Sequence, residues 1–337
     1  MHVEPIDPGD DAAFGRWFAV TAVSRARRWP DQPGWQPEEL RAPALDPDGA
    51  GGAVVLLGAF DGGEVVGAAQ LELPEHDNRH LVELTVEVHP AARRRGVGRA
   101  LVAGAEQVAR DRGRRSVWGR EELPSSDGAE PPGSRAFAQR LGYALAQVAI
   151  LRHLRVPAAP SHLDRLEADC RAHAEGYRLV TWRDRVPDEL LEDRLELLRR
   201  MSTDAPAGEL ALEQERWDER RLRRGEDLRT AQGRTMLCAG AVHEATGRMV
   251  ADTVILVPTG APEMAFQWDT LVLPAHRGHR LGTLVKVENL RQLQAVSPST
   301  RLVGTSNAQD NGPMIAVNEA LGAHVAGTEL NWQKHLA

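Results

Sequence analysis

Lysine is almost missing from this chain: of 41 basic residues among 337, only Lys286 and Lys334 are lysine, and the rest are arginine. That bias reads as GC-rich coding more than chemistry. Acidic residues number 48, leaving a net charge of −7, which argues against nucleic acid or an anionic membrane as the main partner. A local basic patch can still bind phosphate. Tyrosine is equally scarce, at Tyr143 and Tyr177, and so is cysteine, at Cys170 and Cys238. Two distant cysteines build neither a disulfide framework nor a four-ligand zinc site. No apolar run reaches the roughly 18 residues of a membrane span, and the acidic start MHVEPIDPGDD lacks the basic and apolar regions of a signal peptide. These absences point to a cytoplasmic protein. What is present is a globular balance, 42% hydrophobic and 26% charged, in a length that suits two or three domains.

Two proline-led basic loops stand out, Pro90-AARRRGVGRALV and Pro274-AHRGHRLGTLVK. Pro90 and Pro274 lie 184 residues apart, as do Gly98 and Gly282, and the turn glycines Gly63 and Gly247. Three landmarks with one offset identify an internal repeat. Each copy shows the same order of elements. In the first, VEPI is a strand, Asp10–Arg27 an amphipathic helix, and the Trp/Pro/Gly-rich segment Trp29–Gly52 an irregular insertion. AVVLLGAF and EVVGAAQLEL form a hairpin around Asp61-Gly62-Gly63. Leu81–His89 alternates as a half-exposed strand, Val97–Arg112 reads as a helix, Arg115–Gly119 as a strand, Ser134–Leu141 as a helix and Tyr143–Val156 as strand.

The second copy repeats this with YRLVTW, a helix at Pro187–Met201, a charged helix around Glu209–Arg224, and the hairpin TMLCAGAVHEATGRMVADTVILV. Strands at Met264–Leu273 and Arg301–Ser306 and helices at Leu281–Val296 and Gly312–Leu321 complete it. The pattern predicts an N-terminal domain over 1–156, a linker helix over 157–176 and a C-terminal domain over 177–337.

A strand that runs into R-x-x-G-x-G and then into a helix is an anion-binding device, because the loop amides turn inward and the helix N-terminus adds its dipole. Diphosphate is the guest it suits. A nicotinamide-binding crossover would need a third glycine where Leu101 stands and would put the loop after its first strand, and no Walker G-K-[ST] is present. At these residues the chain resembles the GCN5-related N-acetyltransferases: Arg93, Gly96 and Gly98 match their R/Q-x-x-G-x-G/A motif, as do Arg277 and Gly282, with Arg280 replacing the first glycine. Non-glycine residues tolerate positive φ poorly, so binding at the second loop is expected to be the less secure. Two copies in one chain resemble the tandem, mycothiol synthase-like actinobacterial members.

The resemblance implies an α/β fold of α+β type with two tandem domains, each a mixed, mostly antiparallel sheet flanked by helices. It implies an N-acetyltransferase that takes the acetyl group from acetyl-CoA and passes it to the amine of a small molecule by direct attack. The cofactor contacts it implies are Val88, Arg93, Arg94, Arg95, Gly96, Val97, Gly98 and Arg99 in the first copy. In the second they are Val272, Arg277, Gly278, His279, Arg280, Leu281, Gly282 and Thr283. Asn307, Asn311, Met314, Asn318 and Leu321-Gly322 resemble the family's N-A-x-x-N-x-x-M-x-x-x-N-x-x-L-G run, in which Asn307 and Asn311 would face the pantetheine arm. Asn311 equally suits a plain helix cap.

Direct attack needs a neutral amine, hence a base, and strand carboxylates are the candidates. Glu83 is the first choice in the first copy and Glu87 the second, with Asp269 in the other copy, and each also reads as a solvated strand residue. The family's acid tyrosine is absent from both copies, replaced by Ala138 and Asn318. The histidines His76, His80, His89, His276 and His279 match no metal template, so no metal is expected. Trp29 and Trp35 either line an acceptor cleft or pin their loop to the core. The second copy is favoured as the catalytic one, with a monomer or homodimer as the unit. A non-catalytic acyl-CoA sensor, or another acyl-CoA reaction such as longer-chain transfer or decarboxylation, are the alternatives.

Overall fold

The computed structural model describes every residue except 47–50, 126–133, 205, 207 and 337. In the first copy the chain runs through β1 (His2–Pro5), α1 (Asp11–Arg28), α2 (Pro37–Leu45), β2 (Ala53–Asp61), β3 (Glu64–Leu73) and β4 (Leu81–Val88). It continues through α3 (Val97–Asp111), β5 (Ser116–Pro124), α4 (Ser134–Arg140) and β6 (Ala144–Arg155). After α5 (Pro160–Arg171) come β7 (Tyr177–Arg183), α6 (Leu191–Asp204), α7 (Glu219–Ala231), β8 (Arg234–His243), β9 (Arg248–Pro258) and β10 (Met264–Val272). The second copy ends with α8 (Leu281–Val296), β11 (Leu302–Ala308), α9 (Gly312–Ala320) and β12 (His324–His335).

Most expected elements are present, and the departures have local causes. Asp10 starts α1 by accepting from the amides of Ala12 and Ala13. Inside the segment expected to be irregular, α2 forms because Pro37 sits at its first position and Glu39 reaches back to the amide of Gln36 at 2.8 Å. The charged helix expected around Glu209–Arg224 begins only at Glu219, where the Asp218 carboxylate accepts from the amide of Arg221. Upstream of it the backbone is irregular: the amide of Glu209 donates to Ala146, and the carbonyl of Ala211 meets Nε2 of His80.

Contacts divide the chain into two compact units that do not follow chain order. One holds Met1–Ala149, Ala207–Leu212 and Gly327–Ala337, and the other holds Ile150–Pro206 and Glu213–Ala326. In the first, the strands run β1-β2-β3-β4-β5-β12, with the first half of β6 beside β12. β12 pairs antiparallel with β5 from Gly327↔Pro124 to His335↔Ser116. Its Leu330 and Trp332 enter the core formed by Leu57, Leu71, Val82, Leu101 and Val117. In the second, the order is β11-β10-β9-β8-β7, with the latter half of β6 beside β11. Helix α8 packs Val287, Leu290 and Leu293 against Ile255, Ala265 and Val303. The segment expected as a linker joins this core through Leu163 of α5, and Arg291 of α8 pairs with Asp164 at 2.7 Å and with Glu167.

Both sheets are mixed. The pair β4/β5 is parallel from Leu81↔Ser116 to Leu84↔Gly119, and β10/β11 from Met264↔Leu302 to Phe266↔Gly304. Beyond those points the strands part while β4 and β10 continue into their loops. Each unit therefore carries a gap between two parallel strands that opens toward the N-terminus of a helix.

Candidate active site

The loops after β4 and β10 share one backbone. A single helical turn at Pro90–Ala92 or Pro274–His276 leads into an arginine whose Nε donates to the last strand carbonyl, Arg93 to Val88 at 3.2 Å and Arg277 to Val272 at 3.1 Å. Two left-handed residues follow in each loop: Arg94 (φ 64°) and Gly96 (φ 88°) in the first, Gly278 (φ 88°) and Arg280 (φ 54°) in the second. Gly96 and Arg280 cap α3 and α8 without a side-chain acceptor, so the first amides of each helix are left for an anion.

Arg93 and Arg277 are not spare phosphate donors. Arg93 Nη2 donates to Ser24 of α1 at 3.0 Å, and Arg277 Nη2 pairs with Asp204 at the end of α6 at 2.5 Å. Arg95 is paired with Asp61 at 2.6 Å. All four arginines of the first loop, Arg93, Arg94, Arg95 and Arg99, are exposed. Val97 and Leu281 are buried as the first core residues of their helices, and Thr283 is half-buried. His279 points Nδ1 at the carbonyl of His173, while His276 meets the Tyr177 hydroxyl at 2.8 Å. Burial and the neighbouring His243 and His279 push the His276 pKa down. Among the described residues no group of His, Cys, Asp and Glu is placed to hold a metal ion.

The space above the two loops differs. A Cβ on Gly98 would lie 3.2 Å from Cζ of Phe137 on α4, whereas one on Gly282 would meet only Val272 Cγ2, at 3.8 Å. The strands differ too. β4 pairs with β3 in one unbroken register, from Glu72↔Glu83 to Gly67↔Val88. β10 shifts against β9 between Gln267↔Ile255 and Thr270↔Thr253, a bulge that contains Trp268 and Asp269. The Gln267 amide fills it, donating to Thr253 Oγ1 at 2.9 Å and to the Val254 carbonyl at 2.7 Å.

The bulge opens onto a pocket walled by Trp182, Trp217 and Trp268 with Arg194, Arg229 and Asp269. Burial raises the Asp269 pKa, opposed by the cationic Arg194 and Arg229. Arg194 Nη2 lies 3.9 Å from Asp269, and its Nη1 is bonded to the buried Asp252, whose pKa burial also raises. In the first unit Glu87 is buried and accepts from Ser24 and twice from Arg28, at 2.9 and 2.8 Å, so its oxygens are committed to α1. Glu83 sits opposite Glu72 and Trp118 and belongs to a group of carboxylates, with Glu122 and Glu329, around Arg120.

Asn311 caps α9, its Oδ1 accepting from the amide of Met314 at 3.2 Å. Asn307 Oδ1 accepts from Asn318 at 3.2 Å and Arg152 at 3.3 Å. Asn318, at the family's tyrosine position, in turn accepts from Lys286 Nζ at 2.8 Å. Burial brings the Lys286 pKa down to about 7. Trp29 is buried, and Trp35 carries the Arg25 guanidinium over its ring at 5.1 Å; both sit as packing residues. Sequence reasoning missed Trp182, Arg194, Trp217, Arg229 and Trp268, which lie on four different elements and one loop and share no spacing.

A mixed sheet that splays toward an uncapped helix N-terminus, twice in one chain, defines the tandem acetyltransferase architecture. The acetyltransferase (GNAT) family profile matches residues 18–143. Over 148 residues the chain is 39% identical to mycothiol acetyltransferase of Geodermatophilus obscurus, covering 43% of this chain and 42% of that protein, so the match spans less than half of the relative. The tandem GNAT protein from the clavulanic acid biosynthesis pathway aligns over 99% of this chain and 98% of its own, at 32% identity and a TM-score of 0.78. A GCN5-related N-acetyltransferase from Sphaerobacter thermophilus shares the fold, at 18% identity, a TM-score of 0.65 and coverage of 99% and 95%. The chain belongs to the GNAT family in its tandem form, and acetyl-CoA is that family's acetyl donor.

Proposed function

We propose that the second unit transfers the acetyl group of acetyl-CoA to the amine of a small molecule seated in the tryptophan-walled cavity, and that the first unit is its structural partner. The observation that carries this is the β10 bulge, which sets a half-buried carboxyl at the pocket wall on the strand that leads into the more open anion loop.

The second loop fits the donor. The amides of Leu281, Gly282 and Thr283 suit the diphosphate, and a Cβ at Gly282 would barely touch a neighbour. Gln267–Val272, which is not laddered to β11, suits the amides of the pantetheine arm. Bound there, the thioester supplies an acetyl carbonyl open to a nucleophile. Asp269 takes the proton from the incoming ammonium, and its raised pKa brings its basicity toward that task. Arg194, anchored by Asp252, keeps the carboxylate oriented. Asn318 holds its partners in place and supplies no proton.

Thiol release from acetyl-CoA across an amine library, with product mass spectrometry, tests the reading. Asp269→Asn should lower turnover by about 10²–10⁴-fold at unchanged melting temperature. It should also remove an acid limb of the wild-type pH profile that lies above the ordinary carboxylate range. A variant that keeps full turnover, or a wild type that binds acetyl-CoA and acetylates no amine, would overturn it.

A further inference from the structure

The charges on the cavity wall say more about the acceptor than that it carries an amine. Glu226 reaches this wall but is turned away, accepting from the amide of Val186 at 2.8 Å and from Arg223 at 3.0 Å. Arg194 is held by Asp252 and Asp269. Arg229 is different. Its guanidinium lies over the Trp268 ring at 5.1 Å and donates to the carbonyl of Gly225, and it makes no ion pair among the described residues. Burial lowers its pKa, with Asp269 opposing and Arg194 and Arg234 reinforcing that shift, so its surroundings leave the cation undercompensated. A second donor lines the same pocket: Trp182 is 7% exposed, and its indole Nε1 is buried with no hydrogen-bond partner. A buried donor without a partner costs about 1–3 kcal/mol, a cost a ligand acceptor would remove.

We infer that the acceptor is a zwitterion, a small molecule bearing a carboxylate as well as the amine, with the carboxylate received by Arg229 and the Trp182 indole N–H and the amine directed to Asp269. Arginine is suited to this because its planar fork meets a carboxylate with two parallel hydrogen bonds. Trp217 and Trp268 line the same pocket and supply apolar ring surface for the body of such a molecule. A simple cationic amine would leave Arg229 uncompensated and add a second positive charge. This inference rests on the transferase reading above and narrows it to amino acids and short aminoacyl compounds with a free carboxyl group.

Matched acceptors test it: each proteinogenic L-amino acid and its glycyl dipeptide against the corresponding carboxamide, which keeps amine and body and removes the anion. At pH 8 the carboxamide holds more of its amine in the neutral form, so intrinsic reactivity favours the carboxamide. The wild type should nonetheless show kcat/KM about tenfold or more higher for the acid in the pairs it turns over, the range of a charged hydrogen bond. Arg229→Gln should bring that ratio near one, and Arg229→Lys should keep part of it, both with an unchanged melting temperature. For pairs without turnover, calorimetric Kd values against the acetyl-CoA-loaded protein give the same comparison. A ratio at or below one in the wild type, an Arg229→Gln variant that weakens acid and carboxamide alike, or no measurable binding of any acid would overturn the inference. Acetylation confined to amines without a carboxylate would overturn it while leaving the transferase reading in place. Acetyl-CoA binding without acetylation of any amine would overturn the transferase reading itself.

Discussion

The two anion loops solve one backbone problem with opposite residues. Both need left-handed conformations at two positions separated by one residue; the first loop places arginine and then glycine there, the second glycine and then arginine. Arg280, which in the sequence looks like a lost motif glycine, is therefore matched by a gained Gly278, and the second loop keeps the geometry of the first. What separates the copies lies beside the loops. In the first unit Phe137 covers Gly98 and Glu87 is locked to α1. In the second, Gly282 has room and a bulge delivers Asp269 to a cavity. A motif thus reports the scaffold that both units share, whereas the strand next to it decides which unit has room and a carboxyl for chemistry.

The sharpest way to break that contrast is to fill each glycine in turn. Gly282→Trp should weaken acetyl-CoA binding by about 10²-fold or more, because the side chain takes the space against Val272 where the donor would lie. Gly98→Trp displaces Phe137 from a site proposed to hold no donor needed for turnover, and kcat/KM should stay within about threefold. Calorimetry and thiol release read both. The reverse pattern would assign the reaction to the first unit.

The carboxylates give the next test. Glu87→Gln removes the charge from a mostly buried pair with Arg28, whose side chain is about one-third exposed, and should cost roughly 2–3 kcal/mol in urea unfolding. Turnover per folded molecule should be unchanged, the opposite of the outcome for Asp269→Asn. Loss of kcat without loss of stability would make Glu87 a base after all.

Much of this architecture was legible in the residues. The 184-residue offset locates β4, α3 and β5 against β10, α8 and β11 within two residues, because glycine and proline mark those turns by backbone geometry that cannot be disguised. The partner of β5 was not legible. β12 reads as one more strand at the end of the second copy, and nothing in an alternating strand says which open edge it will join. The start of α7 was misplaced for a related reason: a run of arginine and glutamate has helical propensity throughout, and the Asp218 cap sets where the helix starts. Asp269 was visible as a strand carboxylate. Its cavity was not, since the bulge that exposes it follows from the Gln267 amide bonding to Thr253 and Val254 across the ladder.

One of the two lysines offers a pH-dependent test of the second unit alone. Lys286 is buried, with a folded pKa near 7, below its value in an unfolded chain. Its burial costs most below pH 7, where both states are protonated, and the cost falls as pH rises through the unfolded value. From this group, stability should rise by about 2 kcal/mol between pH 7 and 9. Lys286→Met should remove that rise, as read by urea unfolding at the two pH values. A slope unchanged by the substitution would mean that Lys286 stays charged against Asn318.

The smallest expected effect returns to the loops. Arg94 and Arg280 each hold a left-handed conformation that costs a side-chain-bearing residue about 1 kcal/mol relative to glycine, partly offset by the entropy glycine loses on folding. Arg94→Gly and Arg280→Gly should therefore each change stability by less than about 1 kcal/mol. If the backbone alone carries the anion site, Arg280→Gly should also leave the Kd for acetyl-CoA within about threefold, since the amide it supplies is unchanged. A tenfold weaker Kd at high stability would show that the Arg280 guanidinium itself reaches the phosphates. The second loop would then differ from the first in chemistry as well as in the order of its left-handed residues.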